Sequence, residues 1–141
     1  MLKELVNINA VSGRETPMSD FIVKELSGVA EVSKDAVGNI IAHIKGEGKK
    51  LLLAAHMDEI GIMVTFIEDT GFLRFTGVGG VSVSSLNYSK VIFPSGRIGI
   101  ISAPKKSGSD KIEISDMFID IGVSSKEEAS KFVKIGDMAG F

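Results

Sequence analysis

Leu51-Leu52-Leu53-Ala54-Ala55-His56-Met57-Asp58-Glu59-Ile60-Gly61 begins with five aliphatic residues in succession. No polar residue alternates with them, as expected of a strand buried on both faces inside a covered sheet. A polar cluster opens where that run ends. Ligands of open α/β sheets bind at the carboxyl ends of strands, so residues 56–59 are where chemistry is expected. In extended backbone, residues two apart project to the same side, which puts Asp58 beside His56. A carboxylate so placed can accept the free imidazole N–H, fix the tautomer and raise the basicity of the other nitrogen as a metal ligand. On this local pattern alone, a structural histidine and a ligand are equally compatible readings.

Upstream, Leu2, Leu5 and Val6 sit at helical spacing, and Ser12-Gly13 ends a short opening helix. A second helix follows, with Thr16 as its cap, Pro17 at its first position and Asp20 in its first turn. Met18, Phe21, Ile22 and Leu26 fall on one face of it, and Gly28 offers the stop. From Val29 the pattern shifts toward strands: a turn at 37–39, a strand at 40–44 carrying His43 on its surface, and a polar turn at 45–50. Downstream, 60–67 reads as a strand and Glu68-Asp69-Thr70-Gly71 as a turn. This mixture is of the layered α/β kind.

After Gly71 the texture changes. Short β-like runs at 72–76, 90–93, 97–102 and 117–121 are separated by glycine, serine and proline turns, with Pro94-Ser95-Gly96 as a hairpin connection. Strands so short and so spaced predict a small barrel or sandwich. Ser125 with Glu128 forms a capping-box pattern that opens one helix within it. Residues 103–111, rich in lysine, read as a loop. The boundary is placed near Ile67, giving residues 1–67 to an α/β portion and 68–141 to a β-rich one.

Composition narrows the function. The 141 residues are 44% hydrophobic and 24% charged, enough apolar material for a packed core. Sixteen basic residues face eighteen acidic ones, for a net charge of −2. That balance argues against a nucleic-acid partner, which requires a concentrated basic surface. Zero cysteines exclude disulfides, thiolate metal sites and cysteine nucleophiles. No continuous apolar run is long enough to span a bilayer, and the amino terminus lacks the pattern of a signal peptide, so a cytoplasmic location without membrane contact is expected. The phosphate-loop, nucleophile-elbow and H-E-x-x-H templates are all missing. Gly77-Val78-Gly79-Gly80 opens no helix pattern and reads as a tight turn rather than a dinucleotide loop.

Taken in order along the chain, several motifs carry a resemblance. They are Val11-Ser12-Gly13-Arg14-Glu15, Asp35-Ala36-Val37-Gly38-Asn39-Ile40, Ala55-His56-Met57-Asp58-Glu59-Ile60-Gly61, Gly71-Phe72-Leu73 and Gly79-Gly80. Phe118-Ile119-Asp120-Ile121-Gly122, residues 124–129 and Ile135-Gly136-Asp137 continue the series. The chain resembles the dinuclear metallo-aminopeptidases that assemble into tetrahedral particles, some of which carry the name endoglucanase. The resemblance implies part of an α/β/α zinc-peptidase catalytic domain followed by a small β-barrel-like lid that contributes to dimer contacts. It implies that His56 is a ligand of one of two divalent metals, zinc or cobalt, and that Asp58 orients that histidine. It implies a peptide substrate held by its free amino terminus, and a homo-oligomer.

The resemblance also sets a limit. The family's bridging aspartate, its glutamate pair and its remaining Asp and His ligands lie beyond the stretch that matches residues 1–141. Glu127-Glu128 corresponds to a lid helix, and Asp116 and Asp120 to lid positions, with no metal role implied. One histidine with one carboxylate is short of the three or four ligands of a stable zinc site. The chain alone is therefore expected to be an inactive amino-terminal portion of an aminopeptidase, exposing apolar surface and sheet edges. The competing expectation is a noncatalytic assembly or binding module that acts through the lid. Glycosidase chemistry is disfavoured, because no opposed carboxylate pair presents itself.

Overall fold

The first turn of the chain is a short helix, α1 (Leu2–Leu5), in a computed structural model that describes residues 1–104 and 111–141. Helix α2 (Thr16–Leu26) follows, with Pro17 in its first turn, where a missing N–H costs nothing. Its cap position is Glu15 rather than Thr16, no side chain caps it, and Ser27 rather than Gly28 ends it. Backbone conformation explains the first shift: Glu15 already has helical dihedrals, so the turn begins one residue earlier than the threonine suggests. Met18 and Ser19 are the buried residues of this helix, and Phe21, Ile22 and Leu26 are only half-buried.

Strands β1 (Glu31–Lys34) and β2 (Ile40–His43) form an antiparallel hairpin, with Glu31 opposite His43 and Lys34 opposite Ile40. Asp35 builds the turn between them. One carboxylate oxygen accepts the N–H groups of Val37 and Asn39 at 3.0 and 2.9 Å, and the other accepts Asn39 Nδ2 at 2.8 Å. This is how Asp-x-x-Gly-Asn folds: a local acceptor replaces the ladder partners that turn amides lack.

The remaining strands make a second sheet. They are β3 (Gly61–Ile67), β4 (Leu73–Val78), β5 (Lys90–Ile92), β6 (Ile98–Ser102), β7 (Phe118–Asp120) and β8 (Met138–Ala139). All pairings are antiparallel, and the order is β5-β6-β7-β4-β3-β8. A bridge between Ile92 and Gly140, with reciprocal N–H···O bonds of 2.9 and 3.2 Å, ties the first strand to the last. The sheet is thereby a nearly closed barrel, which leaves little unpaired edge. The barrel or sandwich expected after Gly71 is a barrel, and it also takes in the strand that precedes Gly71.

Inside it, Ile62, Leu73, Val91, Ile101 and Ile119 are fully buried, with Leu86, Phe93, Met117 and Val133 nearly so. Each such side chain contributes about 1.5–3 kcal/mol relative to an exposed position. A bulge between Val64 and Phe66 breaks the alternation of β3, turning Phe66 outward while Ile67 regains the interior. Pro94-Ser95-Gly96 does connect β5 to β6; Gly96 takes φ +81° there, and Phe93 N–H donates to Arg97 O at 2.9 Å. Helix α3 (Val83–Leu86) and a 3-10 turn (Ile114–Asp116) lie between strands. Helix α4 (Lys126–Ala129) begins at Ser125, whose Oγ accepts from Glu128 N–H at 3.2 Å. The expected capping box is thus half-formed, because Glu128 Oε2 accepts from Ser124 N–H instead of Ser125 N–H. Of the loop read at 103–111, residues 105–110 lie outside the described residues.

A whole expected element is missing as well. Residues 51–55 form no strand, and Leu51, Leu52 and Leu53 are 84%, 87% and 85% exposed. The reason is topological: a strand covered on both faces requires neighbours on its edges and layers above and below it. Among the described residues, none pairs with this run.

Candidate functional site

The polar cluster after the leucines is anchored by the chain's own amino-terminal segment. Val11 makes an isolated parallel bridge with Glu59. Glu59 N–H donates to Ala10 O at 2.9 Å, Ser12 N–H donates to Glu59 O at 3.2 Å, and Ala10 N–H donates to Glu59 Oε1 at 3.0 Å. Ala10 and Val11 are fully buried. Gly61 makes this possible: a Cβ there would lie 2.5 Å from Val11 Cγ2 and 2.7 Å from Ala139 O. Only glycine lets the 9–12 segment, β3 and β8 approach so closely.

On this anchor the structure brings His56 and Asp58 together. His56 Nδ1 lies 3.0 Å from Asp58 Oδ1 and 3.0 Å from Asp58 O. Both neighbours are acceptors, so Nδ1 carries a proton, and in the neutral ring the lone pair is on Nε2. Asp58 Oδ2 in turn accepts the Ser12 hydroxyl at 2.6 Å. The hydrogen bond from Ser12, and after it that from His56, holds the Asp58 carboxyl below the usual carboxylate range. Asp58 is therefore an anion at neutral pH, as an orienting acid must be. The imidazole stands 85% exposed at the edge of a cleft lined by Glu15, Lys34, Asn39, Leu53 and Asp58.

The other singled-out residues lie elsewhere. His43 ends β2 at the surface. Glu127 and Glu128 stand in the first turn of α4. Asp116 Oδ2 accepts from Glu113 N–H at 2.8 Å, and Asp120 Oδ1 from Gly122 N–H at 2.7 Å, both shaping turns of the barrel. Ser12 and Glu59, by contrast, are site neighbours that spacing does not reveal. They lie 46 or more positions from their partners, and only a fold brings them close.

Zinc or cobalt at this site would be held by His56 Nε2. The donor set fits that role: a neutral imidazole with its other nitrogen bonded to a carboxylate is the usual arrangement of a metal-bound histidine. It does not complete a site, since among the described residues no group of three or more His, Asp or Glu is placed to hold an ion.

Residues 38–141 match the family described as M42 glutamyl aminopeptidase. A provisionally named aminopeptidase of Acetivibrio thermocellus is 47% identical over the whole of this chain, which covers 43% of that protein. An endoglucanase structure from Thermotoga maritima superposes with a TM-score of 0.87 at 37% identity, over 100% of this chain and 44% of its own. The TET1 peptidase of Pyrococcus horikoshii, which can assemble into a tetrahedron or a large octahedral shell, gives 0.84 at 37% identity, over 99% and 45%. The chain belongs to the M42 aminopeptidase family. It spans less than half the length of the relatives it matches. No described helix is long and apolar enough to cross a membrane.

Proposed function

We propose that this chain is the amino-terminal part of a metal-dependent aminopeptidase that removes N-terminal residues from peptides, supplying one metal ligand, His56, and its orienting acid, Asp58. The observation that carries this reading is the paired contact of His56 Nδ1 with Asp58, which leaves Nε2 free for an ion. A divalent metal bound there would supply Lewis-acid polarisation of the scissile carbonyl and activation of a water. The chain's own part is to hold the imidazole in one tautomer and to present it at the cleft. Alone, the chain is inactive, because a single imidazole does not retain the ion and the carboxylates at the cleft, Glu15 on the Gly13 N–H included, are already engaged. Asp58 is committed to Ser12 and His56, and Glu59 Oε1 to the Ala10 N–H. The same commitments disfavour glycoside hydrolysis, which needs two opposed carboxyl groups.

The nearly closed barrel supports a second reading, a noncatalytic assembly module acting through that unit. A chimera separates the two. This chain, placed in the Pyrococcus horikoshii TET1 peptidase in place of the matching segment, is expected to give chelator-sensitive aminopeptidase turnover that His56→Ala abolishes. A chimera that folds and assembles yet turns over no peptide favours the assembly module.

A further inference from the structure

Ser12 lies in a motif that carries the resemblance but is given no role by it, yet its hydroxyl makes the shortest contact on Asp58. The two oxygens of that carboxylate are divided: Oδ2 faces Ser12 Oγ at 2.6 Å and Oδ1 faces His56 Nδ1 at 3.0 Å. A hydroxyl donating to an ionised carboxylate is among the stronger protein hydrogen bonds. The two ends of this chain of contacts differ in rigidity. Ser12 is fixed through its own N–H on Glu59 O and through its buried neighbour Val11. His56 is 85% exposed, and the run that leads into it pairs with no strand among the described residues. An exposed imidazole at the end of such a run takes its orientation from whatever holds its Nδ1. Here that is Asp58, through its backbone O and through Oδ1, each at 3.0 Å; the carbonyl is fixed by the backbone, whereas a carboxylate with one oxygen unheld would be free to turn about its Cβ–Cγ bond.

We infer that Ser12 is a positioning residue for His56, acting through Asp58: it holds Oδ2 so that Oδ1 meets Nδ1, keeping the ring in the Nδ1–H tautomer with Nε2 open. That Nε2 then serves a metal rests on the function proposed above, whereas the tautomer itself does not.

The experiment is a long-range ¹H–¹⁵N correlation of the two histidine rings in the metal-free 141-residue chain, with His43 as internal reference. In the parent sequence His56 shows predominantly Nδ1–H. Ser12→Ala lowers the Nδ1–H to Nε2–H ratio of His56 several-fold without moving His43, and Ser12→Thr, which keeps the hydroxyl, retains the parent ratio. In an Asp58→Asn background, Ser12→Ala has no further effect. Where Ser12→Ala disturbs the fold, Ser12→Thr against Ser12→Val, alike in volume, gives the same comparison. An unchanged ratio in a folded Ser12→Ala chain overturns the inference, and so does an equal change with and without Asp58.

Cobalt(II) titration of the same samples separates this from the functional reading. Ser12→Ala is expected to weaken binding through His56 on the order of tenfold, the scale seen when the partner of a metal-bound histidine is lost. A Ser12-dependent tautomer in a chain whose His56 takes no cobalt supports the positioning role and refutes the ligand role. An unchanged tautomer ratio, with cobalt taken equally through His56 in the parent and in Ser12→Ala, does the reverse.

Discussion

Two aliphatic runs of this molecule meet opposite fates. In β3 and β4, Ile62, Val64, Leu73 and Phe75 turn into the barrel and lose nearly all contact with water. Leu51, Leu52 and Leu53, eight to ten residues before β3, remain open to it. Their hydrophobicity is comparable, so the difference lies in partners: the barrel strands find theirs within 61–139, and the leucines find none among the described residues. An apolar run states that burial is favourable, but not what supplies it. The His56 segment, at the end of the exposed run, borrows its rigidity from Ala10, Val11 and Ser12 instead.

The sharpest test of this contrast is amide hydrogen exchange. Amides of β3, β4 and β6 that are paired in the barrel are expected to exchange slower than those of 51–55 by on the order of 10³ or more, since they open only with the whole unit. Comparable rates in the two regions would mean that the barrel strands open as readily as the leucine run. Side-chain truncation probes the same difference energetically. Ile119→Ala, in a fully buried β7 side chain, is expected to cost about 2–5 kcal/mol in urea unfolding. Leu52→Ala in the same assay should stay within about 0.5 kcal/mol.

Tightness of the barrel is tested at Gly99. A Cβ there would sit 2.4 Å from Ile119 Cγ2 and 3.2 Å from Ile121 Cγ2, so Gly99→Ala is expected to destabilise by about 1–3 kcal/mol. Unchanged stability would show the interior looser than its contacts imply. The smallest effect belongs to the exposed hairpin turn. Its hydrogen bond with the Asn39 side chain, followed by those from backbone amides, lowers the Asp35 pKa. The folded turn thus prefers the carboxylate. Its contribution is complete above the ordinary aspartate pKa and is lost as pH falls through the lowered folded value. Protection of the Val37 and Asn39 amides should follow that course, and Asp35→Asn should remove the pH dependence.

Local chemistry made much of the fold legible. The Pro17 helix, the Asp35–Asn39 turn, the Pro94-Ser95-Gly96 connection and the Ser125 cap each rest on residues within a few positions of one another. Long-range closure was not legible: nothing in Met138-Ala139 announces a strand, and the bridge of Ile92 to Gly140 joins residues 48 positions apart. The site divides the same way. The period-two spacing of His56 and Asp58 predicted their contact, and the structure shows it at 3.0 Å. Ser12 and the 9–12 segment reach Asp58 and Glu59 only through the fold, so periodicity carried no sign of them. The leucine run misled because its covering layers are not among the described residues.

As proposed above, this chain contributes one ligand, His56, to a metal site and does not complete it. Cobalt(II) absorption during titration of the chain tests that directly, because intensity and energy report how many protein ligands surround the ion. Weak binding, the pale spectrum of a largely water-coordinated ion, and loss of both in His56→Ala are the predicted result. Tight binding with an intense tetrahedral spectrum would mean a complete site, and binding that His56→Ala leaves unchanged would mean that His56 is not a ligand.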